Sequence, residues 1–294
     1  MGEAKRRRLA QSAGPNFSRA DEKLRKLGVD VRAFGFYNQP PFLAFEQTDP
    51  LALETYSDWV IARPRDAEYD AHVLEVVPRV AALVEQRLAA EKGLGACVNA
   101  ATMMVSMLDR LGVWSFAVRG SLTIEMPDEP DAEKRYFPEC DVGDDPDSAT
   151  GLAWLVAPPF LVVDPTLRHQ KWVDLHPAIK ASLPAVVAAQ EGEIVRPRWD
   201  DVVGDALVAM YRLQPSDLDA RLPYRFKPDL ARVEKSLPGR DVRAGPLSLR
   251  YIAGAVTVSD MSLEEMPWVS PSSPKLRPIH IWNEDVAPAF GLSK

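Results

Sequence analysis

Apolar residues recur every three or four positions between residues 69 and 92, which is the spacing of one face of an α-helix. The apolar positions on that face are Val73, Val76, Val77, Val80, Leu83 and Val84. The pattern predicts a long amphipathic helix over this stretch. Pro78 lies inside it, and proline lacks the N–H that a helix interior uses, so we expect a kink or a division into two helices.

A second apolar helix is predicted to begin at Cys97 and to end at Gly112, because glycine is a favoured residue just after a helix. Residues 114–126 then alternate well enough between the two faces of a strand to predict one. Two short apolar runs, residues 152–156 and 160–166, lie on either side of a pair of prolines and predict two further strands.

The rest of the chain shows weaker patterns. Beyond residue 166 we expect helices at 178–190, 202–213 and 228–237 and a strand at 247–258. Near the N-terminus, Ser18 is expected to start a short polar helix that ends at about Leu27. Residues 29–64, rich in aromatic residues and prolines, predict irregular segments wrapped on a core.

No internal repeat divides the chain, so the sequence predicts one folded domain with two tails. Residues 1–16 are expected to form a disordered basic tail, and residues 267–294, with five prolines, an extended tail packed on the domain. The domain itself covers residues 17–266. Its core is expected at about 67–175 and a helical extension at about 176–240.

Composition narrows the classes of function. With 294 residues, of which 46% are hydrophobic, the chain can bury a substantial core. A net charge of −7 argues against general affinity for nucleic acid or for anionic membranes, and no apolar run is long enough to predict a membrane span. Two cysteines, Cys97 and Cys140, do not make a disulfide framework, which favours a cytoplasmic location.

The most acidic stretch lies between residues 127 and 148 and contains nine Asp or Glu residues. It predicts a mobile, solvated loop, because like charges repel and few apolar residues anchor it. Oxygen ligands for Ca²⁺ are present at Glu139, Asp141, Asp144, Asp145 and Asp147. They lack EF-hand spacing, and a solvated loop is the favoured interpretation. The sequence therefore predicts no metal and no cofactor.

Cys97 is the leading candidate for chemistry. It follows a glycine-rich approach, residues 93–96, at the predicted start of a helix, where partial positive charge favours the reactive thiolate. Asp164, at the end of a predicted strand, is placed to orient a base. The alternatives are structural: a buried cysteine that only packs, and an aspartate that caps a turn before Pro165.

This order of motifs resembles the transglutaminase-like superfamily, which carries a Cys–His–Asp triad in a papain-like core. The matching motifs are Gly95-Ala96-Cys97, Phe116-Ala117-Val118-Arg119-Gly120, Ala153-Trp154 and Val163-Asp164-Pro165-Thr166. The resemblance implies an α+β fold in which the Cys97 helix packs on an antiparallel sheet, with Trp154 and Asp164 on adjacent strands facing it. It also implies Cys97 as nucleophile and Asp164 as orienting residue.

The family's histidine usually stands two residues before the tryptophan, and here that position is Leu152. Four histidines occur elsewhere, at positions 72, 169, 176 and 280. His169 follows Asp164 by five residues and is the best substitute base. His72 is most simply a structural residue of the long amphipathic helix.

Three functions remain open from the sequence. The leading one is a degenerate or atypical transglutaminase-like protein whose acyl-transfer chemistry is lost or altered. An active cysteine hydrolase or peptidase, in which Cys97 works with a non-standard base such as His169, is the second. The third is a non-catalytic module that binds proteins or peptides. The expected partner is a peptide, a protein or a small acyl substrate, and neither nucleic acid nor a membrane.

Overall fold

The computed structural model describes residues 15–129, 132, 135–137, 152–172, 175–203, 205–270 and 272–292. Within them, helices pack against an antiparallel sheet, so the predicted α+β class is confirmed. The predicted basic tail lies almost entirely outside the described residues, as do most of the acidic loop and Cys140. Three residues of that loop, Arg135–Phe137, form a short strand rather than an irregular segment.

Eleven α-helical segments can be followed in the described residues. They are α1 Pro15–Lys26, α2 Pro40–Thr48, α3 Ala52–Ala62, α4 Ala67–Ala90, α5 Cys97–Arg110, α6 Pro177–Ser182, α7 Asp205–Met210, α8 Leu222–Phe226, α9 Leu230–Ser236, α10 Pro278–Ile281 and α11 Ala287–Ala289. The strands of the sheet are β1 Phe116–Glu125, β2 Arg135–Phe137, β3 Leu152–Ala157, β4 Phe160–Asp164, β5 Val187–Ala189, β6 Glu193–Val195, β7 Gly239–Ala244 and β8 Leu247–Thr257.

The sheet runs in the order β5-β4-β3-β1-β8-β7-β6, with β2 paired to the remaining part of β1. Strands β5 and β6 stand at opposite ends of this order, yet only residues 190–192 separate them in the chain. So short a connection spans at most about 14 Å, whereas the end strands of a flat seven-stranded sheet would stand roughly 29 Å apart. The sheet is therefore strongly curled, with its two ends close together.

Helix α5 lies between the sheet and α4 and is buried along almost its whole length. Its buried residues are Cys97, Ala100, Ala101, Thr102, Met103, Met104, Val105, Met107 and Leu108. The chain leaves the helix at Gly112, whose φ of +74° is the left-handed conformation of a C-terminal cap, as predicted. Contacts between α5 and β3 place the N-terminus of α5, and with it Cys97, against that strand.

Helix α4 is continuous from Ala67 to Ala90 and contains Pro78, so of the two expected outcomes, a kink or a division into two helices, the division is wrong. The helix is buried along one apolar face, where Val76, Val77 and Val80 are almost inaccessible to solvent. Packing of this face compensates for the backbone hydrogen bond that the proline removes.

The expectation of irregular structure over residues 29–64 is also wrong, because helices α2 and α3 occupy most of it. Pro40 stands at the start of α2, where a missing N–H costs no intrahelical hydrogen bond. Aromatic rings join these helices to the core. Phe36 packs edge-on against Tyr56 and Trp59, with ring centroids 5.0 and 5.1 Å apart.

Two further expectations fail after residue 176. The helix predicted at 178–190 ends at Ser182, and residues 187–189 instead pair with β4 as strand β5. The tail beyond residue 267 is not extended throughout, since Pro278–Ile281 begins a helical stretch that reaches Ala289. By contrast, the strand expected at 247–258 is confirmed as β8, Leu247–Thr257.

Within the part of the chain that the structure describes, no helix combines the length and the apolar character that crossing a bilayer requires.

Candidate functional site

Cys97 is the first residue of α5 and is 2% exposed, so the prediction that it lies in the first turn of a buried helix is confirmed. Three donors surround its sulfur: the backbone amides of Val98 and Ala153 and the side-chain amide of Gln170. Gly95, two residues earlier, has a φ of +68° and donates its amide to the carbonyl of His169 at 2.8 Å. The glycine-rich approach is thereby fixed against the loop that follows β4.

The register of β3 and β4 explains the contact between Cys97 and Ala153. Leu155 pairs with Val163 in this antiparallel ladder, which sets Asp164 opposite Trp154. Because β4 ends at Asp164, Ala153 lies just beyond the paired region, and its amide donates to the Cys97 sulfur. The prediction that Trp154 and Asp164 occupy adjacent antiparallel strands is confirmed.

Burial raises the pKa of the Cys97 thiol to about 11. Hydrogen bonds from the three donors oppose this shift, whereas the negative charge of Asp164 adds to it. The thiol is therefore neutral at physiological pH. A helix N-terminus favours the thiolate, but here the cost of desolvating the charged form is larger.

Asp164 is inaccessible to solvent and has its own set of partners. Its Oδ1 accepts hydrogen bonds from the amide and the hydroxyl of Thr166, both at 2.7 Å, and its Oδ2 accepts one from the Tyr251 hydroxyl at 3.2 Å. Gln170 donates in turn to the Thr166 hydroxyl at 3.1 Å. Burial raises the pKa of Asp164 despite these donors.

His169, the predicted substitute base, directs its ring to α4. Its Nε2 lies 3.4 Å from Oε1 of Glu85. Burial lowers the pKa of His169, against the charge of Glu85, which raises it. The backbone of His169 therefore supports the approach to Cys97 through Gly95, while its imidazole is paired elsewhere.

The other three histidines have partners or positions of their own. His72 Nε2 lies 2.7 Å from the Leu111 carbonyl oxygen. His176 caps α6 by accepting the amide hydrogen of Ala178 at 3.3 Å, and His280 is exposed. The groups that shift the pKa of the Cys97 thiol include three amides and one carboxyl.

Leu152 is fully buried in β3, directly opposite Gly120 of β1. The ring of Trp154 lies over this glycine, because a Cβ at position 120 would come within 2.7 Å of the ring. Any larger residue at position 120 would displace the tryptophan. The start of β3 is therefore a closely packed region beside the Cys97 sulfur.

A cavity of about 250 Å³ is bordered by Trp154 and Tyr251. These two rings form one wall, with their centroids 5.1 Å apart in an edge-on arrangement. Further apolar lining comes from Val118, Val156, Leu161, Val162 and Ala253, and polar lining from Arg65, Ser236 and Arg240. Tyr251 thus links the cavity, through its hydroxyl, to Asp164 and the Cys97 cluster.

The sequence led to Cys97 and Asp164, and the structure brings these two together. It does not bring His169 to them. Gln170 and Tyr251, which complete the cluster, were missed. Gln170 directly follows His169, the predicted base, whereas Tyr251 lies in a strand 87 residues beyond Asp164 and carries no local motif.

Metal ligation finds no support in the described residues, where no three His, Cys, Asp or Glu side chains are grouped so as to hold an ion. The carboxylates considered above as Ca²⁺ ligands lie outside those residues.

No protein-family model, no curated protein and no solved structure matches this chain. The resemblance to transglutaminase-like proteins therefore stays a prediction from the motifs.

Proposed function

We propose that this chain is a degenerate transglutaminase-like protein that binds a small ligand and no longer uses Cys97 as a nucleophile. The observation that carries the proposal is the state of the sulfur. It is buried, and burial raises the pKa of the thiol to about 11, so the reactive thiolate is scarce at neutral pH.

The partners of Asp164 support the same conclusion. In a triad the carboxylate holds an imidazole in the orientation and tautomer that catalysis requires. Here Thr166 and Tyr251 supply its hydrogen bonds, and neither side chain takes up a proton near neutral pH. Cys97 then serves to anchor the start of α5 to β3 through the Ala153 amide.

The cavity supports a binding role. It lies beside the Cys97 cluster, is lined mainly by apolar side chains and carries a few polar groups, which is the usual character of a small-molecule site. The alternative of an active hydrolase requires the His169 ring to leave Glu85 and reach the sulfur.

The test is the pH dependence of Cys97 alkylation by iodoacetamide, in a Cys140→Ser background where Cys97 is the single thiol. We expect the rate to rise about tenfold for each pH unit from 7 to 9.5, because the thiolate fraction does so below the pKa. Cys97→Ser in the same background has no thiol and gives the background signal of the alkylation assay.

A rate that reaches its plateau below pH 8.5 would contradict the proposal, since it would reveal a thiolate stabilised by a base. Repeating that measurement with His169→Gln would then show whether His169 is the base. Loss of the plateau in this variant would identify His169 as the base and would favour the alternative of an active cysteine hydrolase.

A further inference from the structure

The cavity beside Trp154 is apolar over most of its surface. Val118 lies directly opposite Trp154 in the pairing of β1 with β3, so both side chains project from the same face of the sheet. Val156 and Ala253 extend this face. A ligand that fills the cavity must therefore present an apolar body to these walls.

Arg240 is one of three polar residues in the lining of the cavity, with Arg65 and Ser236. It lies opposite Tyr251 in the pairing of β7 with β8, and both side chains border the cavity. Its Nη1 donates to the carbonyl oxygen of Gly192 at 3.3 Å, and no carboxylate of the described residues pairs with it. Burial lowers the pKa of Arg240 without an opposing acid. A partly desolvated cation in this situation favours an anionic partner.

The second arginine of the cavity is in a different state. Arg65 Nε lies 2.9 Å from Oδ1 of Asp70, so its charge is already balanced within the fold. Arg240 therefore leaves a single uncompensated positive charge at the edge of an apolar space.

From these observations we infer that the cavity binds a small monocarboxylate with an apolar body, and that Arg240 recognises its carboxylate. A guanidinium presents two parallel N–H groups that match the two oxygens of a carboxylate, and one free cation balances one negative charge. The inference rests on the binding role proposed above and names the chemical class of the ligand.

The test compares octanoate with octanamide, which has the same chain and no charge, by isothermal titration calorimetry on the full chain. We expect octanoate to bind at least tenfold more tightly. Shortening it to hexanoate should weaken binding roughly fourfold for each methylene removed, the equivalent of about 0.8 kcal/mol per methylene.

Two variants locate the charge recognition. Arg240→Met is expected to remove the preference for octanoate over octanamide while octanamide binding changes by less than about twofold. Arg243→Met is the matched control, because Arg243 lies on the same strand but is exposed and does not line the cavity. It should keep the preference of the unaltered protein.

The inference is overturned if octanoate and octanamide bind equally, if neither binds, or if Arg240→Met keeps the preference. Octyl phosphate tightly bound in place of octanoate would also overturn it and would identify a phosphate site. None of these results changes the pH profile of Cys97 alkylation, so failure of the ligand class and failure of the degenerate-enzyme proposal are separately observable.

Discussion

The Cys97 sulfur is surrounded by groups that donate hydrogen bonds. The amides of Val98, Ala153 and Gln170 can stabilise a thiolate but cannot remove the proton from a thiol. Asp164 can accept a proton, yet its oxygens are occupied by Thr166 and Tyr251. None of these groups is an imidazole, the base that a Cys–His–Asp triad would use.

Placing an imidazole at position 152 tests whether this position corresponds to the family's histidine. Leu152 directly precedes Ala153, whose amide contacts the sulfur, so a histidine there is close to Cys97. In the Cys140→Ser background, Leu152→His is expected to move the alkylation midpoint of Cys97 down by at least two pH units, because imidazolium stabilises the thiolate as an ion pair.

The matched control is Leu152→Asn, which introduces a polar side chain of similar size without a titrating group. Adding Asp164→Ala to Leu152→His should abolish the gain, since the carboxylate fixes the imidazole tautomer. Identical pH profiles for the His and Asn variants would show that position 152 does not correspond to the family's histidine.

Whether a residue of this cluster can be predicted depends on how far along the chain its partners lie. Cys97 and Asp164 stand in short motifs next to a helix start and a strand end, where local signals identify them. Tyr251 comes from β8 and reaches Asp164 only because the sheet curls. The partner of the His169 ring, Glu85, lies on a helix whose sequence reveals its apolar face and not its neighbours.

Helices and strands with a clear periodicity were predicted correctly, whereas very short strands were not. The helix at Cys97 and the strands β1, β3, β4 and β8 follow clear periodicities. Strands β5 to β7 were missed, because β5 and β6 span three residues each and their pairing is with distant parts of the chain. The prolines of residues 29–64 predict irregular structure, but Pro40 stands in the first turn of a helix, a position that suits proline.

A buried ionic network joins the turn at Trp199–Asp201 to the sheet. Asp201 is inaccessible to solvent, and its carboxylate accepts hydrogen bonds from Thr123 and from Arg250, each at 2.8 Å, and from the Arg198 amide at 2.8 Å. Burial would raise the pKa of Asp201, but hydrogen bonds from Arg250 and Arg198 outweigh it, and the pKa is lowered. The turn is thereby anchored to β1 and β8 at two residues, Thr123 and Arg250, that lie opposite each other in the sheet.

Asp201→Asn should lower the free energy of unfolding by about 3–5 kcal/mol, because it leaves Arg250 buried with its charge unbalanced. Urea denaturation measures the change. Glu284→Gln serves as the control, with an expected loss below about 1 kcal/mol, since Glu284 is exposed and solvent screens its pair with Arg87. Equal losses in the two variants would contradict the importance assigned to the network.

For the whole molecule, the stability depends on pH through a buried carboxyl between α5 and the N-terminal helices. Asp109 accepts a hydrogen bond from the Tyr37 hydroxyl at 2.7 Å. Burial raises the pKa of Asp109 to about 7, against hydrogen bonds from Tyr37 and the Gly35 amide. The folded state therefore holds this proton more tightly than the unfolded chain, and stability falls as pH rises from about 4 to 7.

Asp109→Asn removes that dependence and keeps an oxygen for the Tyr37 hydroxyl. Relative to this variant, the unaltered protein should lose about 4 kcal/mol of stability between pH 4 and pH 8, measured by urea denaturation across the range. Glu75→Gln, which neutralises an exposed carboxylate on α4, is the control and should show no such difference. A constant offset between Asp109→Asn and the unaltered protein at every pH would contradict the assignment.

Residues 190–192 connect β5 to β6 and hold the two ends of the curled sheet close together. With its ends held this way, the sheet cannot unroll to widen the space beside Trp154 unless β5 leaves β4 or β6 leaves β7. A ligand of the proposed class would then enter where the chain is not held by strand pairing. Leu237 and Pro238, between α9 and β7, border the space and meet that condition.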